Sequence, residues 1–294
     1  MTAAQGASSD PAVRAARGAP AEPAAPAEPA VLVEQSGHVV TVTLNRPAKR
    51  NAFNAEVLCR LSDAWDLIDG DDNVRVAILT GAAGGFSAGA DLDRLVGAMA
   101  RGEPPADEFE ERIRTDGSII FKGFLKQYRT KKPLLAAVEG YCYAGGTEIL
   151  QATDIRVAGE SAKIAISEVQ RGLFPMSAST IRLPRQIPWT EAMEILLVGE
   201  PITAAKAKEI GLIGHVVPDG EALTKARSIA DKIAANGPLA VQAIKASVLA
   251  ADGIPEGDAF GPEMAIGMPV MSSHDAREGP RAFLEKRSPN FEGR

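Results

Sequence analysis

Cysteine is almost missing from this 294-residue chain: there are two, Cys59 and Cys142. Two thiols make no disulfide framework, and neither sits in a metal-binding spacing, which suits a reducing cytoplasm. Histidine is equally sparse. His38, His215 and His274 lie far apart in the sequence, which points to surface or core positions rather than a metal site. No apolar run approaches the length of a membrane span, so no membrane partner is expected. An excess of positive charge is also lacking: the net charge is −6. That disfavours nucleic acid as a main partner. What the chain does have is apolar material, 45% of its residues. This is enough for one globular domain with a sizeable core and a small appendage.

The appendage is residues 1–30, a low-complexity segment of Ala, Pro, Gly and Glu such as Ala19-Pro20-Ala21-Glu22-Pro23. It has no apolar helix-forming run and is not a secretory signal. Its prolines and lack of large apolar residues predict disorder. Arg14 and Arg17 allow a transit peptide, but Asp10, Glu22 and Glu28 argue against one.

The most informative stretch runs from Lys132 to Asp154. Leu134 to Val138 is wholly apolar and reads as a strand buried on both faces. Gly140 breaks it, and Ala144-Gly145-Gly146 then leads into Thr147-Glu148-Ile149-Leu150, the first turn of a helix. A strand end, small residues and a helix start leave backbone N–H groups facing open space, where a ligand can approach closely. A carboxylate, Glu148, sits one turn inside. The same pattern also describes a strand packed tightly on a helix with no ligand at all, and from this stretch alone the two readings are even.

Two further stretches tip the balance. Gly84 to Leu92, G-G-F-S-A-G-A-D-L, follows a second apolar strand at Val74–Thr80 and runs into a helix with Asp91 near its start. Two strand ends thus each offer a backbone N–H, and two such donors aimed at one point make an oxyanion hole. Ala162 to Leu173 supplies a second carboxylate, Glu168, in a mostly apolar setting and twenty residues beyond Glu148.

With these motifs in order, the chain over residues 31–294 resembles the crotonase superfamily, and within it enoyl-CoA hydratase. F-S-A-G-A-D-L matches the family's first oxyanion segment, G-Y-C-Y-A-G-G-T-E-I the second, and the Glu148–Glu168 spacing its two glutamates. The resemblance implies an α/β fold, a crotonase-like spiral of ββα repeats over 31–220, with a helical region at 221–294 that packs subunits into a trimer or a dimer of trimers. It implies an acyl-CoA thioester substrate, as in fatty-acid β-oxidation, and no cofactor beyond the coenzyme A of the substrate itself. It assigns Ala90 and Gly145 to the oxyanion hole, Glu148 mainly to activating water and Glu168 mainly to proton transfer at C2. Lys49, Arg50, Ala52, Ala88, Asp91 and Leu92 fall along the substrate and coenzyme A path, with the basic loop Asn45–Phe53 at the adenine end. Exposed Lys and Arg in such a loop are otherwise only solvated. One departure concerns the turn after Glu168: many hydratases have Pro-Gly-x-Gly-Gly-Thr there, and this chain has Pro175-Met176-Ser177-Ala178-Ser179-Thr180.

Elsewhere the pattern predicts a hairpin over Val31–Asn45 and a helix over Asn54–Asp69 whose Val57, Leu58, Leu61, Trp65 and Ile68 share a face. Gly97 to Arg114 reads as a solvated, mobile loop, which the resemblance implies is a wall of the acyl pocket and the seat of acyl-chain selectivity, and Ile113 to Tyr128 reads as one amphipathic helix. Helices follow at Trp189–Val198, Thr203–Ile210, Glu221–Asn236, Pro238–Ala251, Pro255–Val270 and Asp275–Arg287. Met264, Ile266, Met268 and Val270 need a partner, in the same chain or another. The rival readings are an enoyl-CoA isomerase, which reuses the same site with fewer bases, and an RNA-binding crotonase homologue without catalysis.

Overall fold

The computed structural model describes residues 28–294. Residues 1–27 of the expected disordered segment lie outside the described residues. Its last residues are attached to the fold: the Pro29 carbonyl accepts from Asn45 Nδ2 (3.1 Å), and Ala30 N–H donates to Glu56 Oε1 (3.1 Å).

The chain opens with the expected hairpin, β1 (Val31–Ser36) and β2 (Val39–Leu44), antiparallel around a left-handed Gly37. Helix α1 (Ala55–Gly70) follows. Asn54 caps it by accepting from Val57 N–H, and its five expected core residues are fully buried. Each such side chain contributes about 1.5–3 kcal/mol relative to exposure. Strand β3 (Val76–Gly81) lies parallel to β2.

The segment after β3 departs from expectation. The stretch from Gly97 to Arg114 is partly helical, with α2 (Ala98–Arg101) and α3 (Glu108–Thr115). Asp107 starts α3 by accepting from Phe109 and Glu110 N–H. The single helix expected over Ile113–Tyr128 is broken. Asp116 accepts the Ser118 N–H (2.9 Å) and hydroxyl (2.6 Å), closing α3 and opening the short α4 (Ser118–Gly123). A local Asp side chain competes with continued helix here and wins.

Then the spiral becomes visible. β4 (Leu134–Val138), β5 (Tyr141–Tyr143) and α5 (Gly145–Leu150) form one turn, and β6 (Ile155–Gly159) with β7 (Lys163–Ala165) begins the next. After β7 come α6 (Ser179–Gln186), α7 (Trp189–Val198), β8 (Ile202–Thr203), α8 (Ala204–Glu209) and β9 (His215–Val217). In each turn the first strand joins a six-stranded sheet, ordered β1-β2-β3-β4-β6-β9 and parallel from β2 on. The second strand joins a smaller sheet, β5-β7-β8. Single bridges extend that second layer backwards: Ser87 pairs with Cys142, and Phe53 with Ala90. Consecutive turns of the spiral therefore sit side by side at Phe53, Ala90 and Cys142.

Strand β4 is buried on both faces, as its unbroken apolar run requires. Leu134, Ala136 and Val138 enter the main core, while Leu135 and Ala137 face a second core. That second core is closed by helix α9 (Ala222–Ala234), whose Ala222, Ala226, Ala230 and Ala234 form a stripe of small side chains. Spacing of four keeps the stripe on one face, and its smallness lets the helix lie close to the sheet.

The chain ends in α10 (Pro238–Ala251), α11 (Glu256–Met271) and α12 (Asp275–Leu284). α10 and α11 pack on each other, and α11 buries no residue. Met264 and Met268 are exposed, as are Ile244 and Val248 on α10.

Candidate active site

Two glycine-rich segments meet at Gly89. It has φ +94°, and an added Cβ would stand 2.7 Å from Ala144 Cβ and 3.1 Å from Gly145 N. No L side chain fits there, in space or in conformation. Around it the turns are joined by Tyr143 N–H to the Ser87 carbonyl (2.8 Å) and Ser87 N–H to the Tyr141 carbonyl (3.1 Å).

The bridge at Phe53 fixes which way Ala90 points. Phe53 N–H donates to the Gly89 carbonyl and Asp91 N–H to the Phe53 carbonyl, both at 2.8 Å. In a parallel bridge the intervening Ala90 N–H then faces the opposite side. It makes no hydrogen bond among the described residues, and neither does the N–H of Gly145, the first residue of α5. Both residues line one cavity of about 690 Å³.

The carboxylates face the same cavity. Glu148 is 3% exposed, and its Oε1 accepts from the N–H groups of Ser177 (2.7 Å) and Ser179 (3.3 Å). Burial pushes its pKa up, and these donors oppose the rise. Glu168 opens a short 3₁₀ turn, Glu168–Arg171, and its Oε2 is buried without a hydrogen-bond partner among the described residues. Burial and the neighbouring Glu148 charge push its pKa up to about 7. Two N–H donors favour the charged form of Glu148, whereas the Glu168 Oε2 has none, so Glu168 is the more readily protonated of the two.

Of the residues read from sequence, Arg50, Ala88, Ala90, Leu92, Gly145, Glu148 and Glu168 come together around this cavity. Lys49, Ala52 and Asp91 do not line it. Lys49 ends an exposed 3₁₀ turn, Pro47–Lys49. The Ala52 carbonyl accepts from Arg46 Nη1 (2.6 Å), and the Asp91 carboxylate is taken by Arg46 Nη2 (3.2 Å) and Arg94 N–H (3.1 Å). Asp91 thus caps the turn that follows, Leu92–Gly97, rather than facing a ligand.

Sequence reasoning missed several contributors. Leu95, Ile120, Phe121 and Phe124 form the apolar wall, and Arg171 stands one turn after Glu168 at the mouth. Asn51 supports the first donor segment from beneath: it is buried at φ +53°, and its Nδ2 donates to the carbonyls of Ala82 (3.0 Å) and Gly85 (2.7 Å). Ser87 Oγ donates to the Asn51 carbonyl (2.8 Å) and accepts from Gly89 N–H (3.1 Å). Cys142, beside the site, is fully buried with its thiol pushed up to about 12, so it packs rather than attacks.

Comparison with known proteins agrees with this arrangement. The family model for enoyl-CoA hydratase/isomerase matches residues 34–294. Enoyl-CoA hydratase EchA19 of Mycobacterium tuberculosis is 55% identical over 263 residues, covering 90% of this chain and 96% of that protein. The (E)-benzylidenesuccinyl-CoA hydratase of Thauera aromatica is 37% identical, covering 90% and 99%. Among solved structures, an enoyl-CoA hydratase from Mycobacterium tuberculosis superposes with TM-score 0.81 at 42% identity, covering 91% of this chain and all of its own (100%). The chain therefore belongs to the enoyl-CoA hydratase/isomerase family, within the crotonase superfamily, and has its spiral fold.

Proposed function

We propose that this chain is a hydro-lyase that adds water across the C2–C3 double bond of an enoyl-CoA thioester to give a 3-hydroxyacyl-CoA. The observation that carries the reading is one apolar cavity holding two carboxylates, Glu148 held by two backbone N–H groups and Glu168 with its Oε2 unpartnered, beside two unpaired backbone N–H groups. Addition of water at C3 makes an enolate. The N–H groups of Ala90 and Gly145 hold its oxygen, each contributing roughly 3–4 kcal/mol to the transition state. Ionised Glu148 orients and deprotonates the water, and protonated Glu168 delivers a proton to C2. No group outside the protein and substrate is needed. Arg50 at the rim, with Lys49 next to it, is suited to the phosphates of coenzyme A.

Loss of enoyl absorbance over a panel of enoyl-CoA thioesters tests this, and no turnover on any of them would overturn it. The pH dependence has a fixed sign. Glu168 must carry a proton to give one, so kcat/KM for hydration falls as pH rises through about 7. Above that limb it drops about tenfold per pH unit, and the limb vanishes in Glu168→Gln.

We further propose a trimer or a dimer of trimers built on the exposed apolar residues of α10 and α11. Light scattering at micromolar concentration should give three or six chain masses; a monomer defeats it. No single helix among the described residues is long and apolar enough to cross a membrane. With both thiols free and buried, we assign the enzyme to a reducing compartment, the cytoplasm.

A further inference from the structure

Gln151 follows Glu148 by three residues, at the end of α5, and is 1% exposed. Its Nε2 donates to the Thr147 carbonyl (3.2 Å) and to Ser179 Oγ (2.8 Å). A carbonyl only accepts, so Thr147 fixes which end of the amide faces this side. Ser179 Oγ must then accept from Gln151, and its own hydrogen is directed elsewhere. Ser179 is fully buried and begins α6, and its backbone N–H reaches Glu148 Oε1 together with that of Ser177. The residue between them, Ala178, has φ +89°, a left-handed conformation unusual for alanine. That geometry turns two N–H groups onto one oxygen, as in an anion-binding nest.

A turn held in such a conformation needs something to over-determine it. Besides the Ser179 N–H to Glu148, the hydrogen bond that ties Ser179 to the helix carrying Glu148 is the one its hydroxyl accepts from Gln151, among the described residues. We infer that Gln151 and Ser179 are positioning residues: Gln151 locks the Pro175–Thr180 turn through the Ser179 hydroxyl, so that the N–H groups of Ser177 and Ser179 stay aimed at the Glu148 carboxylate. This rests on the reading that Glu148 acts in hydration. The other charged groups around Glu148 are Glu168, Arg182 on α6, and Arg50 and Arg171 on the cavity wall. None of them donates a hydrogen bond to Glu148, which leaves the turn as its holder. The hydroxyls of Ser177 and Ser179 also lower the Glu148 pKa, against the effect of burial.

The test is the pH profile of kcat/KM in Ser179→Ala, Gln151→Met and the double variant. Ser179→Ala keeps the backbone N–H and Gln151→Met keeps the volume, so both should fold. With the turn loosened, Glu148 binds a proton at higher pH. The acid limb then moves up by about half to one pH unit, which on that limb lowers the rate about threefold to tenfold. KM should hold, because neither side chain touches the cavity. The double variant should be no slower than Ser179→Ala alone, since Gln151 acts through Ser179. An acid limb that stays in place in both single variants, or additive losses in the double one, overturns the inference. A Glu148→Gln enzyme that hydrates at the wild-type rate would instead overturn the functional reading beneath it.

Discussion

Replacing Glu148 or Glu168 by Gln is expected to lower kcat for hydration by about 10²–10⁴-fold each, the usual worth of a positioned acid or base. Neither change should disturb the fold. In Glu148→Gln the amide oxygen still accepts from Ser177 and Ser179 N–H, so only the charge is lost. In Glu168→Gln no hydrogen bond to Oε2 is broken. Stability should in fact rise at alkaline pH. The folded-state pKa of Glu168, about 7, lies above its unfolded value, so its favourable contribution is present at low pH and is lost as pH rises through 7. A neutral amide removes that loss, so the melting temperature of Glu168→Gln should exceed wild type at pH 8 and match it near pH 4. Activity and stability then move in opposite directions at one residue. The double variant should be little worse than the poorer single one, because the two groups act as a unit. If Glu168→Gln hydrates at the wild-type rate while Glu148→Gln is dead, the two-carboxylate mechanism is wrong. One-base chemistry, and hence double-bond isomerisation, becomes the better reading.

The strands that carry the site were legible because burial on both faces leaves an unbroken apolar run, as at Leu134–Val138 and Val76–Leu79. Helix α1 was legible through its 3.6-residue period and its Asn54 cap. The smaller sheet was not, since β5 and β7 are three residues each and β8 is two, too short for any period to show. The donor segments were found from Gly89, Gly145 and their neighbours, but the part played by Asn51 was hidden. Its partners are carbonyls more than thirty residues away, and nothing local marks an asparagine for such a role. Asp91 shows the reverse: its place at a helix start pointed to a cap and the family resemblance to a ligand path, and its carboxylate is taken by the cap and by Arg46. The cavity wall escaped because Leu95, Phe121 and Phe124 look like core residues in sequence. Which apolar side chain faces a cavity depends on where Asp116 breaks one helix into two.

An ester in place of the Ala90 amide is expected to lower kcat about 10²–10³-fold, the loss seen when one oxyanion donor is removed. Incorporating lactic acid at position 90 exchanges the N–H for an oxygen and keeps the methyl group. The bridge through Phe53 uses Gly89 O and Asp91 N–H, so both of its hydrogen bonds survive, the first somewhat weakened by the ester carbonyl. Proline at Gly145 would also delete a donor, and a helix tolerates proline at its first position. There, however, an added Cβ stands 3.0 Å from the Phe124 ring, and Ala144 before it already has φ +49°. A dead Gly145→Pro enzyme would mix lost catalysis with lost packing, which the ester avoids. The control is the same exchange at Ala88, whose N–H donates to the Arg50 carbonyl (3.0 Å) and so has a structural use. That variant should lose about 1 kcal/mol of stability and keep most of its turnover. The ester at position 90 should show the opposite pattern: a smaller loss of stability, unchanged affinity for free coenzyme A, and the large fall in kcat. Wild-type turnover with the ester at 90 would remove Ala90 from the oxyanion hole and leave the enolate to Gly145 alone.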